Sequence, residues 1–305
     1  MIDRRSLLRG AVALGAAGVV RAALPQQGTK VVLLGTKGGP SPSLQAGEPA
    51  NLVVVDDVPY LIDCGYGVIL KMLRAGYSCV QLPAVFVTHH HFDHNADLGN
   101  VVMTAWQLGL DRTMQIIAPT PVKQMMEGYM RFSEPDIGFR MREEGRKPLA
   151  PLLGITEVAR GGAVYQDAHV KVSALLVDHW TVKPALAFRF ETASRIIVFS
   201  GDTTYFPPLA EFSRGADMLV HEALYMPAVE QGLGSRGAPN MHEHIVRSHT
   251  TTEDIGRIAK AANVKTVVLS HLVPYKPDIS DTMWSDGVRK HFGGEVIVGH
   301  DGMIL

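Results

Sequence analysis

The chain has 305 residues, 46% of them hydrophobic and 19% charged, so it can bury a large α/β core and is not disordered. Its net charge of −1 lacks the basic excess of a dedicated nucleic-acid binder. Two cysteines, Cys64 and Cys79, exclude a disulfide framework and an all-cysteine metal site; one bridge can form, but Cys64 lies in the apolar run YLIDCG, which favours two free thiols.

The first 24 residues read as an export signal, leaving 25–305 as one domain. A basic start is followed by an apolar run from Gly10 to Val20 and by Ala22-Ala23. That run is too short for a stable membrane span. Arg4-Arg5 before Ser6-Leu7-Leu8 has the twin-arginine pattern, a route that carries folded proteins and predicts a periplasmic location. Beyond it, Val/Ile/Leu-rich runs predict strands at 30–36, 51–55, 59–65, 84–89 and 114–119. Helical spacing predicts helices at 67–76, 95–110 and 121–132. Residues 133–163 lack a clean period and read as a loop or lid. Further strands are expected at 170–177, 185–190, 195–199, 217–221, 265–270, 295–298 and 303–305, with a helix at 251–262. Strand runs with helices between them, in both halves, predict an α/β fold of four layers: two packed sheets with helices outside, αββα.

The chemistry concentrates in VTHHHFDHNAD, residues 87–97. The strand AVFVT ends at Thr88, and residues two apart in the extended segment that follows point the same way. His89 and His91 can therefore grip one ion, while Asp93 and His94 start the next turn and can grip another. Imidazole nitrogen with carboxylate oxygen suits Zn²⁺. A surface polyhistidine patch fits poorly, because the cluster abuts a strand and a helix cap. Three more donors follow apolar β runs: His179 in ALLVDHW, Asp202 in RIIVFSGDT and His271 in TVVLSHLVP. His89, His91 and His179 form a first candidate site; Asp93, His94 and His271 form a second; Asp202 can bridge them. A metal pair so held lowers the pKa of a shared water, making hydroxide available at neutral pH as the nucleophile.

THHHFDH resembles the HxHxDH motif of the metallo-β-lactamase superfamily, and DH, SGDT and SHL resemble its later ligand motifs in order. LLGTKGGP and LIDCG resemble two more. The segments HEALY (221–225) and 248–271 are similar to the ribonuclease Z branch, which includes phosphodiesterases, arylsulfatases and some lactamase-active members. The resemblance covers about residues 30–305. It implies a hydrolase with two zinc ions, another divalent transition metal being the alternative, with His249 donating a proton to the leaving group, Glu222 orienting it, and Asp63 supporting the first metal's ligands. The candidate catalytic residues are thus Asp93, which doubles as a ligand, His249 and Glu222. His90 reads as a bystander. His221, His242 and His244 are ambiguous: NMHEHIVRSH could line the pocket mouth, but a plain loop is expected. Trp180, Tyr205, Phe206 and Tyr275 are candidates for apolar walls or for core.

Ribonuclease Z carries a long basic arm between its third histidine and the bridging aspartate. Here His179 and Asp202 are only 23 positions apart, filled by two expected strands and a turn with Lys183, Arg189 and Arg195 as the only cations. The missing arm and the export signal argue against tRNA. The expected substrate is a small anionic ester, a phosphodiester or aryl sulfate. A β-lactamase or lactonase at the same metals is the alternative. A non-catalytic metal-dependent binding protein would need no Glu222–His249 relay, and a diiron redox protein would carry more carboxylates. Nothing sets the oligomeric state; a homodimer is one option.

Overall fold

The computed structural model describes residues 28–232 and 238–305; residues 1–24, read above as an export signal, lie outside them. In chain order the first half contains β1 (Thr29–Gly35), β2 (Ala50–Val55), β3 (Val58–Ile62), α1 (Val68–Arg74), β4 (Ala84–Phe86), α2 (Phe92–Asn95), α3 (Leu98–Gln107), β5 (Met114–Pro119), α4 (Val122–Phe132), α5 (Glu134–Glu143) and β6 (Leu153–Val158). The second half contains β7 (Gly162–Gln166), β8 (Val170–His179), β9 (Val182–Thr192), β10 (Ile196–Phe199), α6 (Pro208–Phe212), β11 (Met218–Leu224), α7 (Met226–Glu230), α8 (Met241–Ser248), α9 (Thr252–Ala262), β12 (Thr266–Val273), α10 (Asp281–Arg289) and β13 (Glu295–Val298). Strands β1 to β6 form one sheet in sequence order. The other runs β13-β12-β11-β10-β9-β8-β7.

Side-chain alternation makes the layers. In β1, Val31 and Leu33 enter the core between the sheets, where Phe86 meets Phe188 and Phe190 edge to face. Val32 and Leu34 point the other way, into a core covered by α1, α3 and α4 through Met72, Trp106 and Met126. Helices α9 and α10 cover the far face of the second sheet through Ile255, Ile258, Trp284 and Val288. This is the expected four-layer αββα arrangement.

Four details differ from the sequence reading. Residues 133–163 are no loop: they hold α5 and β6, and β6 pairs in parallel with β5 as the edge of the first sheet. Helix α5 buries none of its residues, which is why it shows no apolar period. The expected helix 95–110 is two helices, with Ala96-Asp97 between them. Residues 303–305 pair with β1 through a single bridge, Val32 to Ile304, flanked by backbone bonds. The segment 241–248 is helical, not a plain loop. Both cysteines are buried and free, as the sequence suggested. Among the described residues no helix is long and apolar enough to cross a membrane.

Candidate metal centre

The loop after β4 carries His89 and His91 in extended backbone, then turns into α2, whose first turn holds Asp93 and His94. His179 is the last residue of β8, and Asp202 follows β10 by three residues. His271 departs from expectation. It does not end a strand but interrupts one. β12 runs on to Val273, and Glu222 pairs with Ser270 while Ala223 pairs with Leu272, so His271 is a bulged residue with φ of 43°. A bulge re-aims one side chain without ending the strand. Asp63 and Trp180 also take positive φ, 57° and 48°. Three non-glycine residues in this costly region surround one site, where such strain characteristically collects.

The fold brings all seven expected ligands together. Donor atoms of His89, His91, His179 and Asp202 lie within 4.8 Å of one another, as do those of Asp93, His94 and His271. His89 Nε2 is 3.0 Å and His179 Nε2 is 3.2 Å from His91 Nδ1. Asp202 Oδ2 lies 3.8 Å from His89 Nε2, 3.4 Å from His94 Nε2 and 3.1 Å from His271 Nε2. Metal–nitrogen bonds of about 2.0–2.1 Å in a tetrahedron put donors roughly 3.3 Å apart, close to these separations.

Partners outside the cluster set the imidazole tautomers. His179 Nδ1 donates to the Ser248 carbonyl at 2.8 Å, and His94 Nδ1 donates to Asp63 Oδ2 at 2.8 Å. The Thr88 hydroxyl donates to Asp63 and accepts from His89 Nδ1 at 3.1 Å. Each ring therefore turns an Nε2 lone pair inward. Within hydrogen-bond distance, the Nε2 atoms of His89 and His179 face only His91 Nδ1 among the described residues. Nε2 of His94 and of His271 are buried with no aligned hydrogen bond. Burial pushes the His179 pKa down to about 3, with the Asp202 carboxylate opposing and the His249 ring assisting, and burial holds His89 well below the ordinary value. Burial would raise Asp202, but the His271 and His94 rings hold it well below the carboxylate range. Neutral imidazoles and an ionised carboxylate are the forms a metal needs. Burial disfavours charge on His94, yet Asp202, Asp63 and Asp93 outweigh it and raise its pKa. That corner calls for positive charge, which a metal would supply in place of the proton. The residues present fit the group.

Asp63 differs from its expected place. It touches His94, in the second cluster, and reaches the first cluster only through Thr88 and His89. Sequence reading passed over Thr88 as a mere strand end; its position between Asp63 and His89 is a tertiary fact. His249 caps α8, and its Nδ1 lies 3.2 Å from Glu222 Oε2, an ion-pair contact without hydrogen-bond alignment. Glu222 Oε1 accepts from the Thr250 backbone at 2.7 Å. His249 also lies close enough to Asp202 and His271 to share a cation with them. Its pairing with Glu222 distinguishes it from the other histidines. His90 turns away and donates to the Pro119 carbonyl at 2.7 Å. His221 is buried beside the cluster and donates from Nδ1 to the Glu222 carbonyl at 2.7 Å. His242 is exposed on α8, and His244, also on α8, sets its ring 5.8 Å from that of His91. The Glu243–Arg247 pair at helical spacing was the available signal for α8.

A family model described as a beta-lactamase superfamily domain matches residues 59–272. Ribonuclease Z of Mycobacterium bovis (strain BCG / Pasteur 1173P2) is 30% identical over 275 residues, spanning 89% of this chain and 96% of that protein. Among solved structures, the metallo-beta-lactamase fold protein YhfI from Bacillus subtilis superposes with a TM-score of 0.67 at 22% identity, covering 91% of this chain and 98% of that one. The short form of human tRNase Z gives 0.67 at 19%, covering 90% and 98%. The chain thus belongs to the β-lactamase superfamily of metal-dependent hydrolases, with ribonuclease Z proteins among its homologues.

Proposed function

We propose that this chain is an exported binuclear zinc hydrolase of small anionic esters, phosphodiesters or aryl sulfates. The observation that carries the reading is the shared carboxylate. Asp202 Oδ2 approaches His89, His94 and His271 within 3.8 Å, so one residue joins two donor clusters. His89, His91 and His179 would hold one ion, Asp93, His94 and His271 the other. A metal pair bound there stabilises charge on the attacking and leaving oxygens and makes water a stronger nucleophile.

The proton work belongs to the chain itself. Burial opposes charge on His249, but the adjacent Glu222 carboxylate outweighs it and raises the pKa above the ordinary histidine value. Glu222 thus favours the protonated ring, which gives its proton to the leaving-group oxygen as the ester bond breaks. A proton released from the attacking water then restores it.

The short link from His179 to Asp202 favours a small substrate. Trp180 and Thr181 alone separate β8 from β9, and β9 and β10 occupy the rest. A second reading, ribonuclease activity, is favoured by the relatives of that name, which match this chain over nearly their whole length. A panel assay separates the two. Zinc-loaded protein should turn over an aryl phosphodiester or aryl sulfate and leave precursor tRNA, lactones and β-lactams nearly untouched. Efficient, site-specific cleavage of precursor tRNA would replace the first reading by the second.

A further inference from the structure

The ligands of the metal cluster are unevenly exposed. Six of the seven proposed ligands are buried, and His91 alone is only half-buried. His91 is thus the most exposed of the seven, and an ester that reaches the cluster from that face passes it. The side chain standing there is His244, whose ring lies 5.8 Å from His91 at an interplanar angle of 69°. His244 is half-buried, lies outside all three groups of converging donors, and its ring has no hydrogen-bond partner among the described residues.

Helix α8 holds it there from three directions. Ile245 and Val246 pack against Leu224, Val229 and Val273. At the C-terminal end the Ser248 carbonyl accepts from the ligand His179. One turn on from His244, Arg247 pairs with Glu243 at 2.9 Å and sets its guanidinium 4.9 Å from the Trp180 ring. Trp180 in turn lies 5.9 Å from the His244 ring. A donor fixed on a helix beside the most exposed ligand, with neither a hydrogen bond to its ring nor a place among the metal donors, is arranged to meet a bound anion.

We infer that His244 is a substrate-binding residue that donates a ring N–H to a non-bridging oxygen of the anionic ester as it passes His91. Trp180 supplies an apolar wall beside that contact. The inference rests on the ester-hydrolase reading of the site. Phosphate and sulfate esters share the tetrahedral oxyanion involved, so either can occupy the contact.

The test uses the full mature protein, zinc-loaded, as wild type, His244→Ala and His244→Gln. Inorganic phosphate binding is measured by calorimetry, metal content by elemental analysis, and turnover with an aryl phosphodiester. His244→Ala should keep its metal and lose at least about ten-fold in phosphate affinity, the size of one lost hydrogen bond to a charged group. It should raise KM for the diester more than it lowers kcat. His244→Gln, which keeps an N–H donor, should recover part of the affinity. Unchanged phosphate affinity in His244→Ala, or loss of metal from both variants, overturns the inference. Wild type that binds phosphate through His244 yet turns over no anionic ester would refute the proposed activity and leave the anion contact standing.

Discussion

Removing the His249 imidazole should separate proton donation from metal binding. In His249→Ala the Glu222 carboxylate loses the ion-pair contact at Oε2, but its Oε1 still accepts from the Thr250 backbone at 2.7 Å and from the Thr203 backbone at 3.4 Å. The fold and both metal clusters should survive. What disappears is the acid, and a positioned general acid contributes about 10²- to 10⁴-fold. That loss should appear with an ester whose leaving group is a poor one, such as an alkoxide. It should shrink markedly with 4-nitrophenolate, which departs without a proton. Glu222→Gln should give a smaller loss and a diagnostic pH shift. The carboxylate raises the His249 pKa, so removing it lowers that pKa and the protonated form is lost sooner as pH rises. The alkaline limb of kcat/KM should move to lower pH. The assay is metal content, plus pH profiles of two esters that differ in leaving-group pKa. If His249→Ala sheds metal, or slows both esters equally, His249 is a ligand or a structural residue.

Asp202→Ala should reduce bound metal from two per chain to well below that, because one carboxylate serves both clusters; retention of two ions by elemental analysis would refute the bridge. Gly38→Ala places a Cβ 2.4 Å from Val273 Cγ2 and 2.9 Å from His271 Nδ1. It should destabilise the fold by about 1–3 kcal/mol in thermal melts and weaken metal retention in a chelator titration, since His271 is already held at positive φ. Arg4-Arg5 changed to Lys-Lys should hold the precursor in the cytoplasm; undiminished periplasmic delivery in cell fractionation would point to the general secretory route.

Which donors the chain carries, and in what order, could be read from the sequence because the rules involved are local. The i, i+2 geometry of an extended segment aligns His89 with His91, and the unbroken apolar run VVLL suits a β1 that is buried on both faces. Only the tertiary structure decided how those donors meet. His271 looked like the end of a strand; its aim comes from a bulge, which exists only relative to the neighbouring strand β11. Asp63 could be recognised as a supporting carboxylate, but that it grips His94, and reaches His89 through Thr88, follows from β3 lying beside β4. Helix α5 buries none of its residues and so left no hydrophobic period to read. Strand β6 is defined by pairing with β5 across an intervening stretch of helix. His244 was one histidine among several until α8 folded against β8 and brought its ring beside His91. Residue type and spacing thus specify which chemistry is available, whereas sheet pairing and helix docking, which join residues distant in sequence, determine which groups share a site.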